Sequence, residues 1–162
     1  IEWIKYGKPS ALGAVTGMVA GLGTITPASG YVGPGGALVI GLSAGIVCFY
    51  ATLYIKQVLK IDDSLDVFPV HGVGGILGTF LAGIFASADL GIFSGQGLPE
   101  GVTIPQQLGV QLTGIVATFV YAGVATYIIL VVVRALVGLR VTEDEEREGL
   151  DTVSHNERGY DL

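Results

Sequence analysis

The chain has 162 residues, 51% of them hydrophobic and 14% charged, with 26 glycines and a mean hydropathy of +0.67. A soluble domain usually carries about 25% charged residues, so the composition argues against one and for a polytopic membrane protein. The net charge of −6 is local: the stretch from Thr142 onward holds eight acids and two bases, while the 141 residues before it hold six of each, and that neutral body offers no basic face to nucleic acid.

In chain order, residues 1–9 place Trp3 and Tyr6 beside Lys5 and Lys8, the rings and snorkelling ammoniums of a membrane interface. The chain opens at Ile1 with no visible signal peptide, and is expected to be the C-terminal part of something longer. Ser10 is a candidate N-cap for a first span at about 11–25. Gly13, Gly17 and Gly21 recur there at i+4 and form a bare ridge for close approach of a neighbouring helix. Residues 26–36 form an uncharged turn-rich loop. A second span at about 37–59 repeats the small-residue spacing at Gly41 and Gly45 and ends in Lys56 and Lys60. Cys48 within it reads as a small buried hydrophobe. An acidic connection, residues 61–66, leads to a third span at about 67–87. A glycine-rich loop, residues 87–104, precedes a fourth span at about 105–137, whose 33 residues would reach about 50 Å. That exceeds the roughly 20 residues a bilayer needs, so this helix must tilt or protrude and is expected outside the bundle. The organisation is thus all-α: a membrane region over 1–137 and a charged tail over 138–162.

All eight bases lie at or beyond one side of these four spans, and the two loops on the other side hold none. That asymmetry puts the N-terminal loop, the acidic connection and the tail in the cytoplasm of a plasma-membrane protein. In the connection, Ser64 or Asp66 can cap the third span, and Asp62, Asp63 and Asp66 oppose the positive end of its dipole. Capping with tethering of the tail is one reading of these acids, and a cation-attracting vestibule is the other. Pro69 falls near the first turn, where its missing N–H costs least. His71 is the one histidine within an apolar span. At 100° per residue its face also carries Val67, Phe68, Gly74, Gly75, Gly78 and Ala82, against a bulky face of Val73, Ile76, Phe80 and Ile84. A ring facing lipid is costly, so His71 faces inward, either bonded to a neighbouring helix or lining a conduction path. It can accept a hydrogen bond from a small amine or water and relay a proton. Asp66 lies about 140° around the helix from it, which separates the acids from the ring. His71 and Cys48 are too few for a metal site. No nucleophile–base pair, phosphate loop or dinucleotide fingerprint occurs, so neither an enzyme nor a cofactor is expected.

The run Asp62-Asp63-Ser64-Leu65-Asp66-Val67-Phe68-Pro69-Val70-His71-Gly72-Val73-Gly74-Gly75 resembles the tenth-helix signature of the Amt/Mep/Rh ammonium transporters. Gly7-Lys8-Pro9-Ser10, the run Gly21-Leu22-Gly23-Thr24-Ile25-Thr26-Pro27-Ala28-Ser29-Gly30-Tyr31-Val32, and Glu146-Arg147-Glu148-Gly149-Leu150-Asp151 resemble neighbouring stretches of bacterial and archaeal Amt proteins, in order. The resemblance implies helices eight to eleven of an eleven-helix, homotrimeric, multi-pass protein that moves ammonium or ammonia through a hydrophobic pore in each protomer. It makes His71 one of a pore-lining histidine pair whose partner lies on an earlier helix. It implies a cytoplasmic tail, with Glu146, Gly149, Leu150 and Asp151 in its motif, that packs on the neighbouring protomer and communicates with a PII-type signal protein. Asn156 after His155 departs from the family's His-Gly-Glu pattern. The alternative function is an ammonium sensor on the same scaffold, signalling through cytoplasmic partners.

Overall fold

The computed structural model describes residues 1–159; the end of the tail, Tyr160 to Leu162, lies outside the described residues. Among the described residues every regular element is helical. A short helix α1 (Glu2–Tyr6) ends at Gly7, whose φ of 75° turns the chain toward α2 (Ala11–Ile25). Ser10 caps α2 by accepting the Gly13 N–H at 2.8 Å. The Ser10 N–H in turn donates to the Glu2 carboxylate at 2.7 Å, as its hydroxyl does at 2.9 Å. These bonds hold the Glu2 carboxyl below its ordinary range, the Ser10 backbone contributing most. A 3-10 turn (Thr26–Ala28) closes the first span. Helix α3 (Pro34–Leu53) starts on a proline and runs into a π-helical turn (Tyr54–Val58). A second π turn (Phe68–Val73) leads into α4 (Gly74–Phe85). Helix α5 (Ile104–Leu136) is 33 residues long with none buried. Four helical stretches, Ala11–Ala28, Pro34–Val58, Phe68–Phe85 and Ile104–Leu136, are long and apolar enough to cross a membrane.

The chain divides into two compact units, 1–116 and 117–162, and α5 runs from the first into the second. In the first unit, α2, α3 and α4 pack on one another through stripes of small residues at i+4 spacing. Buried along these stripes are Ala20, Thr24 and Ala28 at the end of the first span, Gly36, Ile40, Ala44 and Cys48 on α3, and Gly74, Gly78 and Ala82, with Gly83 beside it, on α4. Residues three and four apart share a helix face, and small side chains let backbones approach where apolar surroundings give little other drive to associate. Ala20, Cys48 and Val70 form one cluster and Ala28, Ile40 and Ala82 another.

The glycine ridge expected to do this packing does not do it within the described chain. Gly17, Gly21, Gly41 and Gly45 would each admit a Cβ with nothing within 4 Å, and Gly13 faces the Glu2 carboxylate. The contact instead uses the adjacent face, where the spacing is carried by alanine, threonine and cysteine as much as by glycine. The closest approach is Gly78 against the carbonyl of Thr24, where a Cβ would overlap the oxygen outright. At the loop end of the bundle, Gly95 N–H donates to Ser87 O at 2.9 Å and Gln96 N–H to Tyr31 O at 2.9 Å, so the loop after α4 ties back to the one after α2.

In the second unit, α5 ends just before Gly138, whose φ of 80° is the left-handed turn that stops helices. Helix α6 (Glu143–Glu148) begins with a capping box: Thr142 Oγ1 accepts from Glu145 N–H, and the Glu145 carboxylate accepts from Thr142 N–H at 2.8 Å and Oγ1–H at 2.7 Å. The Thr142 hydroxyl, then its backbone N–H, hold the Glu145 carboxyl below its ordinary 4.5. The box is therefore at full strength above that value and is lost as pH falls through the lowered one. Gly149, at φ 98°, bends the chain into α7 (Leu150–His155).

Gly78→Ala is expected to destabilise the bundle by about 1–3 kcal/mol. A lower thermal midpoint of the detergent-solubilised complete protein checks this; an unchanged midpoint would mean that α2 and α4 are not locked at Thr24.

Candidate functional site

His71 sits on the π turn Phe68–Val73, which starts from a fixed backbone anchor. The Asp63 carboxylate accepts from the N–H groups of Val67 and Phe68, both at 2.8 Å. Ser64 or Asp66 is the cap expected from sequence, and neither fills the role. The Ser64 hydroxyl donates to Asp62 at 3.2 Å. Asp66 has a left-handed backbone, φ 56°, and its Oδ1 lies 2.6 Å from Lys56 Nζ. The ammonium stands close to that oxygen but off its hydrogen-bonding direction, so the contact is a charge pair rather than an aligned bond. The three acids thus divide their work: Asp63 anchors the turn, Asp66 pairs across to the end of α3, and Asp62 stays exposed with Ser64.

His71 is exposed within the described chain, although Pro69 and Val70 before it are buried. On α2 it approaches Gly23, where a Cβ would lie 3.8 Å from Nδ1 and 3.7 Å from Val70 O. Alanine at Gly23 would meet the ring at ordinary contact distance, so only a longer side chain could press on it. The small residues expected to share its face divide. Gly74, Gly78 and Ala82 are buried against the bundle, whereas Gly75 has open space. A π turn takes more residues per turn than an α-helix, so a 100° wheel drawn through Phe68–Val73 misplaces the residues beyond Val73. Ile76, put on the opposite bulky face, is exposed, as a residue turned toward lipid would be.

Two further residues belong to this region. Thr24 is fully buried, with Oγ1 unpartnered among the described residues. A Cβ on Gly74, the first residue after the π turn, would lie 2.7 Å from that oxygen and 3.3 Å from Cys48 Sγ. Thr24 therefore marks where α2, α3 and α4 meet directly behind the histidine turn. Its signal in the sequence is a hydroxyl within an apolar span, less conspicuous than the glycines around it. Lys56 stands in the sequence only as the end of the second span, and nothing in its spacing identifies Asp66 as its partner. Among the described residues no group of three or more His, Cys, Asp or Glu could hold a metal ion.

The tail residues lie in the second unit. The Glu146 carboxylate is 3.4 Å from Arg140 Nη2, and Arg147 Nη2 is 2.6 Å from Glu143 Oε1. Gly149 N–H donates to Glu145 O at 3.0 Å, Leu150 is exposed, and Asp151 O accepts from Glu157 N–H at 2.9 Å. These exposed ion pairs are each worth little; the shape of the motif comes from the capping box and from Gly149.

Known proteins share this arrangement. Residues 1–160 match the model of the Ammonium Transporter Family. The ammonium transporter of Aquifex aeolicus is 43% identical over 99% of this chain and 37% of its own length. Ammonium transporter Amt1 of Archaeoglobus fulgidus is 46% identical over 99% of this chain and 39% of its length. A solved structure described as a sensor Amt protein superimposes with a TM-score of 0.81 at 33% identity, over 94% of this chain and 36% of that one. The chain thus spans less than half the length of the relatives it matches. With four apolar helices, the small-residue bundle and a match along nearly its whole length, the chain belongs to the ammonium transporter family, as part of a multi-pass helical membrane protein.

Proposed function

We propose that the complete protein moves ammonium or ammonia across the plasma membrane through a narrow hydrophobic pore, and that His71 lines this pore as one of a histidine pair. The observation that carries the reading is the placement of His71. It is an ionisable, exposed residue on an apolar span, next to the side-chain-free Gly23, and it directly follows the buried Pro69 and Val70. Intramembrane ionisable groups are expensive and concentrate on conduction paths. An uncharged imidazole suits a small amine, because it offers one acceptor and one donor.

Four spans and an excess of bases at one end support a cytoplasmic tail. The tail, with Glu146, Gly149, Leu150 and Asp151, is the contact for the neighbouring protomer of a homotrimer and for a PII-type signal protein. Asp62, exposed on the acidic connection, is the acid there most available for the tail to dock on, since Asp63 and Asp66 are engaged. The likeness to a protein described as a sensor favours one second reading, ammonium sensing on the same scaffold.

His71→Ala in the complete protein is expected to lower methylammonium uptake or ammonium-evoked current at least about tenfold. Unchanged transport would remove His71 from the pore, and a wild-type protein that gives ammonium-dependent signalling without flux would favour the sensor. Truncation after Gly138 is expected to abolish the response of transport to the signal protein. A truncated protein that responds as the intact one does would leave the tail as a solvated terminus.

A further inference from the structure

The two π turns among the described residues flank the same connection, and one ion pair links the middle of the first to Asp66, just before the second. The first, Tyr54–Val58, carries Lys56 at the end of α3. The second, Phe68–Val73, carries His71 and starts two residues after Asp66. We propose that the Lys56–Asp66 pair is a clasp that sets the depth and rotation of His71, so that both are positioning residues for the conduction path; this rests on the pore role of His71 proposed above.

The Asp66 backbone is held where few side chains go. Its φ of 56° lies in the left-handed region, which Asp tolerates better than most residues but does not prefer. Its side chain is 15% exposed, against 38% for Lys56, and its Oδ1 is buried with Lys56 Nζ at 2.6 Å. An isolated carboxylate this well covered is costly, so the ammonium is what allows the side chain to turn inward. The carbonyl of the same left-handed residue accepts Val70 N–H at 3.0 Å. That bond and the two N–H groups capped by Asp63 are the anchors of the π turn. Pro69 removes one N–H from the same turn, so each remaining anchor counts for more. His71 is the next residue after Val70.

The partner end is equally constrained. Ile55, beside Lys56, is buried, and Ile61 N–H donates back to Ile55 O at 3.1 Å. Lys60, at φ 54°, turns the chain out of the first π turn just as Asp66 turns it into the second. π turns are rare and recur at functional sites. Here each is a local rotation of a span, and the ion pair couples the two, so a shift in one ending is passed to the backbone of His71.

The complete protein tests this without relying on transport. The rate at which diethyl pyrocarbonate modifies His71, followed by peptide mass spectrometry, reports the setting of the ring. Lys56→Met and Asp66→Asn are each expected to change it by at least about threefold, and Lys56→Arg, which keeps the charge, by less than about twofold. Asn suits a left-handed backbone, so Asp66→Asn isolates loss of the charge from backbone strain. An unchanged rate in both Lys56→Met and Asp66→Asn overturns the clasp, as does a change in Lys56→Arg as large as that in Lys56→Met. In a double-mutant cycle on ammonium-evoked current, Lys56→Met is expected to cost about tenfold in the native background and less than about twofold in His71→Ala. Equal losses in both backgrounds would show that the pair acts on the fold rather than through His71, and overturn the proposal. A neutral His71→Ala with altered modification rates would sink the pore reading and leave the clasp standing.

Discussion

The close crossing at Thr24 is the contact on which the rest of the first unit depends. Its carbonyl lies against Gly78, and its hydroxyl lies against Gly74, which also faces Cys48. In water, helices are driven together by apolar burial; among lipid-like surroundings that drive is weak, and packing distance has to supply the stability. Stripes of alanine, glycine, threonine and cysteine at i+4 on three helices allow that distance. Once α4 is fixed against α2 at Gly74 and Gly78, the turn just before them has little freedom, and His71 is on that turn.

The two ends of the turn are fixed by different physics. At its α4 end the constraint is steric: no side chain fits at Gly78. At its connection end it is polar, through the Asp63 cap, the Asp66 carbonyl and the Lys56 ion pair. Between them Pro69 and Val70 are buried, while His71 is exposed next to Gly23 of α2. A rigid backbone with an unobstructed ring is the arrangement that lets an imidazole exchange hydrogen bonds without moving the helix that carries it.

Four apolar spans are legible in the sequence because hydropathy over about 20 residues is a strong signal. His71 stands out because an ionisable residue in such a span is conspicuous, and the separated Asp-to-His, Gly-Lys-Pro-Ser and tail motifs make the family recognisable. Two things are not legible. Spacing alone assigns the packing face to Gly13, Gly17 and Gly21, because a glycine repeat is easier to see than the mixed stripe Ala20, Thr24 and Ala28 that the helix buries. The roles within Asp62, Asp63 and Asp66 depend on the left-handed backbone at Asp66, which no spacing rule indicates, and on two π turns that break the period used to draw helix faces. Local periodicity places an α-helix well and fails where the helix changes its pitch.

In the proposed pore, His71 is one of two imidazoles facing each other. An experimental structure of the complete protein, at a resolution that fixes ring orientation, tests this most directly. The expected result is a second imidazole nitrogen within hydrogen-bonding reach of the His71 ring, roughly 2.7–3.2 Å, across a lumen walled by apolar side chains near Gly23. A His71 ring bonded to a backbone carbonyl of a neighbouring helix, with no second imidazole opposite and no lumen beside it, would contradict it.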